Sequence, residues 1–133
     1  MKKYIVLAAI LAGLSASASA GCTFQWYHYG EPAVFNLIKN EIGEKVTDLY
    51  CAKYNKTSEI VIITNEYSDT ERTLVHVIAG LRKRGSNAIP QSRRTAYQFE
   101  NGNFVLGKGY QMSAKLALDM VMDVMSSLDK FAP

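Results

Sequence analysis

Lys2 and Lys3, an apolar run from Tyr4 to Leu14 and the small-residue tract from Ser15 to Ala20 bound the folding problem, because they take twenty residues out of it. A basic start, an apolar segment too short for a permanent membrane span and an Ala18-x-Ala20 site read, in that order, as a cleaved secretory signal peptide over residues 1–20. What remains to fold is Gly21 to Pro133, 113 of the 133 residues. A chain of that length is expected to form a single small α+β domain over residues 21–133 and to bury roughly two thirds of its unfolded surface.

The leader also carries charge. Two of the 15 basic residues and none of the 12 acidic ones lie in it, so the mature chain holds 13 against 12 and a net charge of +1. Attraction of the whole molecule to nucleic acid or anionic membrane is therefore weak, no nucleic-acid partner is expected, and any anion binding must be local. No later stretch reaches eighteen consecutive apolar residues, so no transmembrane segment is expected in the mature chain.

Export places Cys22 and Cys51 in an oxidising compartment, where they are expected to pair as a disulfide. The rival use of Cys22, the second mature residue, is a lipid anchor. Ser19 stands where lipoprotein signals favour Leu, which argues against that use.

Gly30-Glu31-Pro32 is a good helix opening, with Pro tolerated in the first turn and an acid near the positive end of the dipole. Val34, Phe35, Ile38, Ile42, Val46 and Leu49 then fall within about 120° of arc, predicting one amphipathic helix to about Tyr50. A break at Gly43, followed by a short strand over residues 46–52, is the alternative. Ile60-Val-Ile-Ile63 predicts a strand over Glu59 to Tyr67. Glu71 to Arg82 completes a hairpin with it, with apolar residues on both faces as though it were covered on both sides. Asn101-Gly102 predicts a further hairpin with Phe99 opposite Phe104. From Met112 to Phe131 the apolar positions occupy about 160° of arc, predicting the last helix. The expected fold is thus α+β: an antiparallel sheet of three to four strands flanked by an N-terminal and a C-terminal amphipathic helix, in the order α-β-β-β-β-α.

Two segments are candidate contact sites. Arg82, Lys83, Arg84, Arg93 and Arg94 fall within thirteen residues that contain no acid, and Arg offers a planar fork to carboxylate, sulfate or phosphate. The bland reading is a set of solvated strand ends. Trp26, Tyr27 and Tyr29 belong to an aromatic run from Phe24 that could present flat rings to a sugar or a peptide, or form a first strand over the core. No catalytic or metal residues are assigned and no cofactor is expected. The two histidines fit none of the nucleophile or metalloprotease motifs, and on a helix Met120 and Met122 project apart. The carboxylates Glu66, Asp69 and Glu71 are what a polar turn requires in any case.

These features point to a small, non-enzymatic binding protein of the bacterial envelope, periplasmic or secreted, of inhibitor, immunity or assembly-accessory type. Its basic inter-strand loop would engage an anionic glycan or an acidic envelope protein. The alternatives are an assembly subunit acting through self-association and a small hydrolase using the turn carboxylates or His76.

Overall fold

Phe24–Tyr29 alternates so that Phe24, Trp26 and His28 point to one side and are buried, which is the period of a strand pressed on a core. It is β1 of a computed structural model that describes residues 15–16, 22–102 and 106–133. The expected signal segment lies outside the described residues apart from Ser15 and Ala16, which pair antiparallel with Gln25 and Phe24.

Gly30 and Glu31 lead into α1, Pro32–Ile38, with Pro in its first turn. The single long helix expected to about Tyr50 does not form. Propensity falls at Asn40 and Gly43, and the chain instead makes a 3₁₀ turn, Ile42–Glu44, and a second helix, α2, Asp48–Lys53. Thr47 caps α2 by accepting from the Tyr50 N–H at 3.3 Å. Val34, Ile38, Ile42 and Val46 keep the predicted inward face, whereas Leu49, expected on it, is exposed and Tyr50 is buried in its place. Residues 48–52 are helical and none of 46–52 is in a strand, so the alternative of a short strand there is also corrected.

Then come β2, Ser58–Ser68, β3, Arg72–Lys83, and β4, Arg93–Asn101. The hairpin of β2 and β3 is as expected, with Ile60 opposite Leu81 and Ile62 opposite Ala79. Two expectations about the sheet are corrected. First, β1 pairs parallel with β2, Trp26 beside Ile60 and Tyr29 beside Ile63, so the four strands in the order β1-β2-β3-β4 form a mixed sheet. A parallel pair needs a crossover, and α1, the 3₁₀ turn and α2 supply it. Second, Asn101-Gly102 does not return the chain into a hairpin. Phe99 lies opposite Leu74 of β3, Phe104 lies outside the described residues, and α3 already begins at Leu106.

Helix α3, Leu106–Met125, starts earlier than Met112 despite Gly107 and Gly109. Gly109 meets β3 so closely that a Cβ there would sit 3.2 Å from Thr73 Cγ2, so packing sets the start against propensity. The chain breaks again at Ser126 and Ser127 before α4, Leu128–Phe131. The resulting order is β-α-α-β-β-β-α-α, still α+β.

Helices α1 and α3 touch each other and lie against the same face of the sheet. Phe24, Trp26, Ile60, Ile62, Val77, Ala79 and Leu81 meet Val34, Ile38, Ala117, Val121 and Val124 there. Trp26 stacks on Phe35 with ring centroids 4.9 Å apart. Cys22 and Cys51 form the expected disulfide, with Cα atoms 5.7 Å apart, which ties the lead-in of β1 to α2. Among the described residues no helix is long and apolar enough to cross a membrane.

Candidate functional site

With α1 and α3 on one side, strand alternation leaves a second face of the sheet without a helix. The registers order it into four rows. From one end these are Tyr27, Val61, Gly80 and Arg93; then Tyr29, Ile63, Ile78 and Thr95; then Asn65, His76 and Tyr97; then Tyr67, Leu74 and Phe99.

The loop from Arg84 to Ser92 covers the first end. A Cβ on Gly80 would lie 2.8 Å from both Pro90 Cβ and Ser92 O, so glycine lets the loop press onto the strand. Beneath the loop, Arg82 Nε donates to Glu59 Oε1 at 2.6 Å, and both side chains are buried. The same guanidinium donates through Nη1 to Tyr29 Oη at 3.2 Å and Ala88 O at 3.3 Å, and its Cζ lies 4.9 Å from the Tyr27 ring centroid. A buried ion pair whose guanidinium makes these further hydrogen bonds is a fixed structural part of that end.

Beyond the loop the face is open. Tyr67, Leu74, Tyr97 and Phe99 are exposed, Tyr97 at 69% and Phe99 at 63%. The His76 and Tyr97 rings stack at 4.4 Å, and Tyr67, Arg72, Leu74 and Phe99 line a shallow depression of about 320 Å³. A second depression, about 440 Å³, lies between Tyr29, Val61, Ile63 and the loop residues Asn87, Ala88 and Ile89. Contiguous exposed rings on an open sheet face suit a partner surface, because they lose little conformational freedom when covered.

The expected contact residues divide between roles. Arg82 is only 5% exposed and committed to Glu59, so it is not presented to a partner. Arg84 is exposed but reaches across to Asn55, with Nε donating to its carbonyl at 2.6 Å and Nη2 to its side chain at 3.0 Å. Arg93 lies on the open face and donates to Pro90 O at 2.9 Å. Arg94 lies on the helical side with Cζ 5.7 Å from the Phe131 ring centroid, and Lys83 is exposed at the end of β3. Trp26 is fully buried, because strand alternation turns it to the helices. Tyr27 and Tyr29 alternate to the other face, where Tyr29 is 45% exposed. The disulfide engages the Cys22 sulfur that a lipid anchor would need.

Tyr67, Leu74, Tyr97 and Phe99 were not singled out from sequence as contact residues, and His76 was weighed only for a hydrolase. The available signal was the apolar character of both faces of Glu71 to Arg82, which suggested cover on both sides. The second side is covered only at its loop end. Of the turn carboxylates, Asp69 accepts from the N–H groups of Glu71 and Arg72, both at 2.8 Å, and these bonds hold its carboxyl below the usual range. It fastens the turn.

A smaller cleft of about 170 Å³ lies beyond the end of β1 and beside β2, lined by Gly30, Glu31, Thr64, Asn65, Glu66 and Tyr110. Desolvation, with the Glu31 and Glu66 carboxylates, raises the Tyr110 hydroxyl and keeps it protonated. Nearby His28 is bonded to Thr64 Oγ1 at 2.8 Å, and burial lowers its pKa to about 4, leaving a neutral ring. No family model, curated protein or solved structure matches the chain.

Proposed function

We propose that this is a small exported protein of the bacterial envelope that binds a partner through the open sheet face, with cations at its loop end selecting an acidic surface. The exposed rows of Tyr67, Leu74, Tyr97 and Phe99 carry the reading. Arg93 adds positive charge on that face at the loop end of β3 and β4, and Lys83 and Arg94, which alternate to the helical side, add it at the same end of the sheet. The leader-like residues 1–20 and the disulfide support an oxidising destination. Between the two acidic partners named by the charge, the aliphatic and aromatic mixture favours a protein surface over an anionic glycan.

The test is crosslinked capture from envelope extract with two paired variants. Tyr67→Ser with Leu74→Ser removes one open ring and the exposed aliphatic side chain opposite it, and Lys83→Gln with Arg93→Gln removes cations while sparing the Arg82–Glu59 pair. Both are expected to lose the same protein partner while keeping the wild-type melting temperature within a few degrees. Capture of that partner undiminished by either variant overturns the proposal. Competition by alginate but not by poly-glutamate transfers the reading to a glycan.

A further inference from the structure

The second unsatisfied surface is an edge rather than a face. Strand β4 bonds to β3 on one side, and among the described residues no strand lies on its other side. The Gly102 N–H donates to Glu71 O at 2.6 Å, which sets the phase of the antiparallel ladder. Alternation then turns the even-numbered residues of β4 toward β3 and leaves the N–H and C=O groups of Arg93, Thr95, Tyr97, Phe99 and Asn101 facing outward. Nine residues without proline or bulge present these groups, and none of the side chains is fully buried. Natural edges of that length are ordinarily blunted, so an unblunted one calls for a covering strand.

The order of residues along β4 identifies the strand. The sequence Arg93-Arg94-Thr95-Ala96-Tyr97-Gln98-Phe99-Glu100-Asn101 is charge-complementary to itself when reversed about Tyr97. Antiparallel pairing centred there places Arg94 opposite Glu100 of the second copy, and Glu100 opposite its Arg94. Arg93 meets Asn101, Thr95 meets Phe99, and Tyr97 meets its own counterpart. All five outward-facing residues then meet outward-facing residues, as the ladder requires. Moving the two-fold centre to Ala96 or to Gln98 loses both Arg94–Glu100 pairs, leaving Arg94 opposite Gln98 or Glu100 opposite Ala96, and a parallel alignment sets the two Arg-Arg ends side by side. In the single chain Glu100 lies 3.5 Å from Lys108 with both side chains substantially exposed, an arrangement that leaves it accessible to a second cation.

We infer that two copies of this chain associate through β4 about a two-fold axis at Tyr97, joining two four-stranded sheets into one of eight strands. The two open faces become continuous across the seam, with Tyr97 and Phe99 of both copies at its centre. This association stands independently of what the open face binds.

Sedimentation velocity on the oxidised protein, expressed from its full chain, tests the inference from micromolar to millimolar concentration. The wild type is expected to pass from monomer to dimer. Arg94→Glu alone and Glu100→Arg alone each place like charges opposite one another twice, and each is expected to weaken dimerisation roughly tenfold or more. An equimolar mixture of these two variants regains both opposite-charge pairs and is expected to recover dimer mass. Tyr97→Pro removes the central outward N–H, a change an edge strand tolerates, and is expected to stay monomeric with a wild-type circular dichroism spectrum. A wild type that is monomeric throughout overturns the inference. So do single charge variants that dimerise as well as wild type, or a mixture that stays monomeric.

Discussion

The two faces of this sheet are made from the same strands, yet they have different physical roles. On the helical face, Trp26, Ile60, Ile62, Val77 and Ala79 are buried to within a few per cent, and the side chains are confined by neighbours on every side. On the other face, Tyr67, Tyr97 and Phe99 have their edges in water, and only the loop end is closed. Alternation puts comparable apolar residues on both sides, so what separates core from contact surface is whether a helix arrives to cover it. The open face is itself divided, because the Arg84 to Ser92 loop turns one end into a buried ion-pair site.

That contrast breaks most sharply at its two buried anchors. Trp26→Ala removes the largest fully buried side chain and its stack on Phe35, and should cost about 3–5 kcal/mol in urea unfolding. Arg82→Ala should cost as much, about 3–5 kcal/mol, because it strands the Glu59 carboxylate under the loop. If Arg82 were a partner contact rather than a structural cation, the same measurement would show almost no loss. Reducing the Cys22–Cys51 bond frees a loop spanning 29 positions and should lower stability by about 3.5 kcal/mol, read as a shifted urea midpoint in dithiothreitol.

A smaller effect depends on pH. The His28 ring has a folded pKa of about 4 against about 6.5 unfolded, so between these values the unfolded chain binds the extra proton. The stabilisation is complete above pH 6.5 and is lost as pH falls toward 4, by about 2–3 kcal/mol. His28→Asn should flatten that slope; an unchanged slope would assign it to other groups. The smallest effect belongs to the open face, where Tyr97→Ser should change stability by about 0.5 kcal/mol or less.

The parts legible in the sequence were those decided by local pattern. Ile60-Val-Ile-Ile63 could only be a strand, the hairpin to β3 followed from the short turn at Asp69, and the two cysteines had one oxidised pairing between them. The inward residues Val34, Ile38, Ile42 and Val46 followed from the helical period, but Leu49 and Tyr50 exchanged places once the helix broke. What escaped was decided between distant residues. Nothing near Phe24 announces that β1 will lie parallel to β2, since that pairing rests on a crossover of nearly thirty residues. Asn101-Gly102 carries a strong local hairpin signal, but β4 finds its ladder on β3. Gly109 is a poor helix former by propensity, yet it is the point where α3 needs room beside Thr73. For the candidate site, the cations were visible but their partners were not: Arg82 and Arg84 are held by Glu59 and Asn55, more than twenty positions upstream.

Both cysteines of the disulfide precede β2, β3, β4 and α3 in the chain. A chain that meets an oxidant N-terminus first therefore exposes both thiols before most of the sheet has emerged. The bond can be closed at that stage, and closure brings Trp26 and Phe35 into one short ring of backbone, so the remaining strands would add to a loop already drawn together. Oxidation would then be an early organising event in biogenesis as well as a brace on the finished protein, and a chain held reduced until synthesis ends would have to assemble its parallel pair without that help.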